Sequence, residues 1–189
     1  MDRGGRRLAL RGVRRVNRVG PERVLTRGDA AVMGLLYHQE TSAIAPSLAD
    51  AAPQAALRSG LPVFATCAGM ILLAERVENP QQRSYALLPI TVVRNGYGRQ
   101  LHSGTFAHES TVLPAGTTGT FIRAPRITAV GDCEVLARRD GDPVLVRKGP
   151  LLAACFHPEL ALRHPVCARF AAMVREQEAA PAPAAAMMA

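Results

Sequence analysis

The stretch that decides the fold is Phe64-Ala65-Thr66-Cys67-Ala68-Gly69-Met70-Ile71-Leu72-Leu73. It continues the apolar run 61–65, which is typical of a buried strand, and passes at once into a helical pattern over 68–77. Small residues flank Cys67 on both sides, as a sharp strand-to-helix turn requires. At the N-terminus of a helix, the dipole and free N–H groups favour a thiolate, and the Ala68 N–H would face an oxyanion. The stretch predicts a nucleophilic cysteine; the other interpretation is a structural cysteine at a strand end.

A second stretch supplies the partners that a cysteine nucleophile needs. The apolar run 151–156 predicts a strand, and His157 follows it at the carboxyl end, where α/β sheets place their sites. Pro158 keeps His157 out of the helical region, so the segment stays extended. Residues two apart then point the same way, and Glu159 can fix the tautomer of the imidazole. Together the two stretches predict a Cys–His–Glu triad; alone, this second stretch would indicate only a surface loop.

Strand and helix signals alternate along the rest of the chain. Helices are predicted over 47–59, closed by Gly60, and from Pro165 to about Glu178. Gly, Pro and Asp-Gly turn signals separate short β-rich runs. The further predicted strands are 32–36, 86–94, 104–113, 119–123, 133–138 and 143–148. This alternation predicts an α/β fold with three layers, a mainly parallel sheet flanked by helices.

The composition is that of an ordinary folded protein with one unusual end. The 189 residues are 48% hydrophobic and 20% charged, which suits one α/β domain. Residues 1–34 hold nine arginines against three acidic residues, whereas residues 35–189 carry only +2 of the net charge of +8. A solvated terminus is therefore favoured over an arm that touches RNA or an acidic partner. The chain has no Trp and no basic–aromatic interleaving, which argues against a nucleic-acid surface.

Membrane and metal-binding classes are also disfavoured. No apolar run reaches the roughly 18–20 residues of a membrane span. The four cysteines show no zinc-ligand spacing and need not form disulfides in a chain of this length. We therefore predict no metal site and a reducing, cytoplasmic compartment. Three of the cysteines lie in apolar or mixed runs and are interpreted as small core residues.

Four segments resemble one family within the class I glutamine amidotransferases, the glutaminase subunits of pyridoxal 5′-phosphate synthase. They are Thr66-Cys67-Ala68-Gly69-Met70-Ile71-Leu72-Leu73-Ala74, Arg94-Asn95-Gly96-Tyr97-Gly98-Arg99-Gln100, Thr120-Phe121-Ile122-Arg123-Ala124-Pro125 and Phe156-His157-Pro158-Glu159-Leu160. Their order and spacing agree with the family, and the resemblance covers about residues 35–178. It implies the flavodoxin-like fold of class I glutamine amidotransferases.

The resemblance also implies an activity and a partner. It implies a glutaminase that converts L-glutamine to L-glutamate and ammonia, with Cys67 as nucleophile, His157 as proton carrier and Glu159 orienting the ring. The ammonia passes to a synthase subunit that forms a large ring with glutaminases docked around it. No metal or organic cofactor is implied. The implied glutamine-binding residues in the matching segments are Arg94, Ile122 and Arg123, and arginine suits the α-carboxylate because its planar fork pairs with it.

One loop departs from the family pattern. The family carries Pro-Gly-Gly-Glu-Ser-Thr-Thr where this chain has Tyr37-His38-Gln39-Glu40-Thr41-Ser42-Ala43. The resemblance implies glutamine binding by Gln39, Glu40 and Thr41. The second glycine of the family, here Gln39, supplies an oxyanion N–H, and glycine permits positive φ and close approach. Losing one such donor costs about 3–4 kcal/mol in the transition state.

That departure leaves two alternatives open. One is an impaired or inactive binding subunit, a decayed copy of the same family. The other is an amidotransferase or cysteine hydrolase with a different acceptor. We divide the chain into a basic segment, 1–34, which is a degenerate first strand–helix unit or a frameshifted start; an amidotransferase domain, 35–178; and a tail, 179–189, predicted to be disordered.

Overall fold

The computed structural model describes residues 31–35, 60, 62–98 and 103–179. The elements in chain order are β1 (Ala31–Leu35), β2 (Val63–Cys67), α1 (Ala68–Leu73), β3 (Ala74–Glu78), β4 (Leu88–Val93), β5 (Gly104–Ala107), β6 (Thr118–Phe121), β7 (Arg126–Val130), β8 (Glu134–Arg139), β9 (Asp142–Lys148), β10 (Leu151–Ala154), a 3₁₀ helix (Pro158–Leu160) and α2 (Pro165–Ala179). The helix predicted over 47–59 lies outside the described residues. The division into three segments stays a prediction, because most of both terminal segments is also outside them.

A five-stranded sheet carries both predicted site stretches. Its strand order is β1-β2-β10-β9-β8. β1 and β10 flank β2 in parallel, whereas β9 and β8 continue the sheet in antiparallel. The α/β class is confirmed, but the sheet is mixed, so the mainly parallel arrangement holds for only one half. The reason is loop length: two residues separate β8 from β9 and β9 from β10, and such short links permit only antiparallel pairing.

The centre of this sheet is the most buried part of the described chain. Every residue of β2 and β10 is buried, as expected for strands covered on both faces. On one face the ring of Phe64 packs against Phe170 of α2, with ring centroids 5.3 Å apart. Helix α1 lies against β1 and β10. Each large apolar side chain buried here contributes about 1.5–3 kcal/mol, so the strands that carry the site are firmly held.

Two smaller sheets complete the fold and bring further segments to the site. One has the order β3-β4-β7, and the other pairs β5 with β6. Arg94 follows β4 directly, and Ile122 follows β6 directly. The described part of the chain contains no helix long and apolar enough to cross a membrane.

The structure corrects two of the predicted elements and adds another strand. The helix expected over 68–77 ends at Leu73, because 74–78 pairs with β4 as strand β3. The strand expected over 104–113 ends at Ala107, and Ser110 then accepts hydrogen bonds from two following backbone N–H groups in a turn. Strand β7 was not predicted. By contrast, the strand near 32–36 and the helix that opens at Pro165 are confirmed.

Candidate active site

Cys67 occupies the sharp turn between β2 and α1. Its φ of 49° and ψ of −105° lie in a region that residues with a side chain rarely adopt. The neighbours Ala65, Thr66, Ala68 and Gly69 are all buried, and their small size lets the chain turn this tightly. The predicted strand-to-helix turn is therefore present.

His157 reaches Cys67 because their strands are parallel neighbours. Ala154, the last residue of β10, is the register partner of Thr66, so both strands end at the same edge of the sheet. The backbone N–H of His157 donates to the Thr120 carbonyl at 2.8 Å, which fastens the segment to β6. There its imidazole lies close enough to the Cys67 side chain to interact with it. Two residues that are distant in the chain thus meet.

Glu159 contacts the other side of the same imidazole. The His157 Nδ1 and Glu159 Oε1 atoms are 2.8 Å apart. His157 has a φ of −111° and a ψ of 80°, outside the helical region as the following proline requires, but Pro158–Leu160 forms a 3₁₀ helix, so the prediction that the segment stays extended through Glu159 is wrong. The carboxylate keeps a proton on Nδ1, which leaves Nε2 for the thiol. The three side chains therefore have the connectivity of a triad.

The pKa of His157 reflects opposing influences. Burial alone lowers it, because the side chain is almost completely enclosed and desolvation disfavours the cation. Hydrogen bonds with Cys67 and Glu159, together with their negative charge, outweigh burial and raise the pKa to about 10. The raised pKa favours a proton on the ring beside the Cys67 side chain. An imidazolium beside a cysteine is the arrangement that activates the thiol.

The segment after β6 borders Cys67. The carbonyl oxygen of Ile122 lies 4.0 Å from the Cys67 Sγ, and its side chain is 39% exposed. The next residue, Arg123, is exposed and has a φ of 46°, so the chain turns sharply here. Its backbone N–H donates to the Ser103 hydroxyl at 3.3 Å. The structure thus brings the Ile122 carbonyl to the sulfur, and Arg123 is the next residue along the chain.

Arg94 is held by a contact with the loop that joins β3 to β4. It is buried, and its Nη1 donates to the Gln82 Oε1 at 2.9 Å. The register pairs its neighbour Val93 with Arg126 of β7, only three residues after Arg123. Arg94 and the segment after β6 thus lie at the same end of that sheet.

Thr66 is a site residue that the sequence analysis treated only as a small neighbour. Its hydroxyl donates to the Glu159 Oε1 at 3.3 Å. One signal could have shown this contact. A hydroxyl at a fully buried strand position needs a hydrogen-bond partner, and the nearest polar groups at that strand end belong to the triad.

Of the remaining predicted site residues, the structure describes Ala68 but not the oxyanion and glutamine-binding residues 39–41. Ala68 begins α1 directly after Cys67. Gln39, Glu40 and Thr41 lie outside the described residues. Burial raises the pKa of the Cys133, Cys155 and Cys167 thiols; Cys155 is a core residue as predicted, whereas Cys133 and Cys167 are only partly buried against the core. Among the residues that the structure covers, no group of three or more His, Cys, Asp or Glu side chains is arranged to hold a metal ion.

Comparisons with known proteins agree on one family. Residues 22–176 match the profile of the SNO glutamine amidotransferase family. The pyridoxal 5′-phosphate synthase subunit PdxT of Thermotoga sp. (strain RQ2) is 54% identical over 106 residues, 55% of this chain and 56% of that protein. PdxT of Koribacter versatilis (strain Ellin345) is 53% identical over 116 residues, 60% of each chain. The chain thus spans less than two thirds of these curated relatives.

A solved structure extends the agreement from sequence to fold. It is described as a glutamine amidotransferase and is 35% identical, with a TM-score of 0.64. The similarity covers 72% of this chain and 75% of that one.

Proposed function

The chain belongs to the SNO glutamine amidotransferase family, and on that premise we propose that it is a glutaminase that hydrolyses L-glutamine to L-glutamate and ammonia. The observation that carries this proposal is the contact of one buried imidazole with the Cys67 side chain and with the Glu159 carboxylate. A cysteine, a histidine and an orienting carboxylate are the parts that acyl transfer from an amide needs.

In the proposed reaction, the Cys67 thiolate attacks the side-chain amide carbon of glutamine. His157 donates its Nε2 proton to the departing nitrogen, so that ammonia leaves and a thioester remains. The neutral ring then takes a proton from water, and the resulting hydroxide attacks the thioester. The carbon–sulfur bond breaks, glutamate leaves and the thiolate with its imidazolium is restored. Glu159 keeps Nδ1 protonated throughout.

We assign oxyanion stabilisation to the backbone N–H groups of Ala68 and Gln39. Ala68 follows the nucleophile directly. The position of β1 supports Gln39, because Leu35 ends that strand as the register partner of Cys67. Gln39 is four residues further on, so at about 3.3–3.6 Å per residue the chain allows it to lie no more than roughly 14 Å from Leu35.

The glutamine itself is bound by residues from three segments in this proposal. Arg123 and Arg94 supply positive charge for the α-carboxylate, and guanidinium groups suit a planar anion. The Ile122 carbonyl lies 4.0 Å from the sulfur and the residue is exposed, which supports its place beside the bound substrate. Glu40 and Thr41 complete the set with a carboxylate and a hydroxyl for the α-amino group and the amide.

The proposed acceptor of the ammonia is a pyridoxal 5′-phosphate synthase subunit. The relatives reported above are named as subunits of that synthase, which supports it as partner. We propose that the synthase forms a large ring with glutaminases docked around it. The hydrolysis uses only the side chains and backbone groups described, without a cofactor.

Ammonia release from glutamine tests this proposal, with the purified chain alone and with the synthase subunit. We expect glutamine-dependent release in the complex that Cys67→Ala abolishes. Cys133→Ala is the matched control, because that thiol is half-buried in the turn before β8 and its loss should leave the rate unchanged. A wild-type complex that releases no ammonia would contradict the proposal and favour the inactive binding subunit.

A further inference from the structure

The Glu159 carboxylate receives two hydrogen bonds on one oxygen. Its Oε1 accepts from the His157 ring at 2.8 Å and from the Thr66 hydroxyl at 3.3 Å. Its Oε2 is buried and has no hydrogen-bond partner among the residues described. A carboxylate rotates easily about its last side-chain bond, because that torsion is broad and two-fold. The two donors on Oε1 are therefore what the structure offers to hold this group in one orientation.

The position of Thr66 in β2 explains why its hydroxyl turns to the triad. Thr66 is 1% exposed and lies on the same face of the sheet as Phe64, two residues earlier. That face is covered by α2, as the contact between Phe64 and Phe170 shows. A buried hydroxyl needs a hydrogen-bond partner, and among the residues described the Glu159 carboxylate supplies one. Valine has almost the same shape and would fill the same space, so packing alone does not require a hydroxyl here.

We propose that Thr66 is a positioning residue of the triad, whose hydroxyl holds the Glu159 carboxylate in the orientation that accepts the His157 Nδ1 proton. The inference rests on the proposed function, which assigns the triad. Thr66 precedes the nucleophile directly, so one strand end places the sulfur and also orients the carboxylate on the far side of the imidazole. Without the hydroxyl, the carboxylate samples orientations that leave Nδ1 unsupported, and fewer complexes are ready to react.

The test replaces the hydroxyl without changing the packing. Thr66→Val removes it, and Thr66→Ser keeps it. Thr117→Val is the matched control, because Thr117 is also buried and its hydroxyl donates to the Pro114 carbonyl at 2.6 Å, outside the triad. Glutaminase kcat and KM are measured for each variant in the complex with the synthase subunit, from about pH 6 to pH 10.

A positioning role predicts a specific pattern. Thr66→Val lowers kcat about 10-fold, the low end for loss of a hydrogen bond to a charged group, and leaves KM within about twofold. The alkaline limb of its pH profile moves to lower pH, because a poorly oriented carboxylate holds the His157 cation less firmly. Thr66→Ser stays within about threefold of the wild type. Thr117→Val matches the wild type.

Three results would overturn the inference. The first is a Thr66→Val enzyme with wild-type kcat and pH profile, and the second is a Thr66→Ser enzyme as impaired as the valine variant. If the valine variant does not fold, the serine variant decides, since near-wild-type kcat supports the role and lost activity refutes it. A wild-type complex without ammonia release refutes the proposed function instead. The His157 titration, followed by NMR, then tests the role of Thr66 by itself. The third result that would overturn the inference is a titration midpoint of His157 that Thr66→Val leaves unchanged.

Discussion

The backbone of Cys67 adopts a conformation that glycine adopts readily and that is strained for a cysteine. With φ at 49° and ψ at −105°, the residue carries strain of about 1–3 kcal/mol that the surrounding sheet must offset. The strain is tolerated because β2 is paired on both sides and buried along its whole length. The turn directs the sulfur out of the strand, toward the imidazole.

This strain predicts an unusual order of stability. Cys67→Gly is expected to be more stable than Cys67→Ala by about 1 kcal/mol, although glycine normally destabilises a helix start or a strand. Glycine adopts this backbone freely, whereas alanine keeps the strain. Urea denaturation of the two variants, neither of which can react, measures the difference. An alanine variant that is the more stable of the two would show that the turn is not strained.

His157 links the site to the pH dependence of folding. Its pKa rises from an ordinary 6.5 to about 10 in the folded chain, so folding favours the bound proton. That contribution is complete below about pH 6.5 and is lost as the pH rises through about 10. Glu159→Gln removes one of the charges that hold the proton and should flatten the decline in unfolding free energy between those limits. Equal slopes for both proteins in urea titrations at several pH values would contradict this.

At the level of elements, strand β6 packs against the segment 156–157 and holds it in place. The Thr120 carbonyl accepts the His157 N–H, and Gly119 lies directly against the ring of Phe156, the residue before His157. An added Cβ at Gly119 would overlap both that ring and the His108 imidazole. The glycine is therefore required for close approach between β6 and the end of β10.

Gly119→Ala should test this support. We expect a loss of about 1–3 kcal/mol of stability from overpacking, together with reduced glutaminase activity as the histidine segment shifts. Gly104→Ala in β5 is the control, because its added Cβ would meet only the far edge of the Phe106 ring, at 3.2 Å. Thermal unfolding and ammonia release report the two effects. Equal behaviour of both variants would mean that the contact is not critical.

Across the whole molecule, an aromatic cluster joins the smaller sheets to the large one. His108 belongs to this cluster. The centroid of its ring lies 4.3 Å from that of Phe156 and 5.9 Å from that of Phe121. Both of its ring nitrogens are buried and lack a hydrogen-bond partner within the described residues. Burial is the largest cause that lowers the pKa of His108 to about 4, and repulsion from His164 and Arg139 adds to it. His108 is thus neutral in the folded chain.

The lowered pKa makes the cluster sensitive to acid. The His108 ring does not affect the free energy of unfolding above about pH 6.5, where it is neutral in both states, and it lowers that free energy as the pH falls toward 4, because the unfolded chain binds the proton first. His108→Leu is expected to reduce this acid-induced loss. Unfolding free energies measured between pH 7 and pH 4 check it. The same slope for the leucine variant would assign the acid sensitivity to other groups.

The sequence by itself determined the strand that leads to Cys67, the turn after it, the His157-Pro158-Glu159 segment and the helix from Pro165. These features are local, since apolar runs, small residues and proline restrictions act within a few residues. Only the tertiary structure decided that 74–78 is a strand, that half of the large sheet is antiparallel and that the Thr66 hydroxyl meets the Glu159 carboxylate. Those outcomes depend on which distant segments pair, and pairing is settled by burial and backbone hydrogen bonding across the whole fold, which no local pattern records.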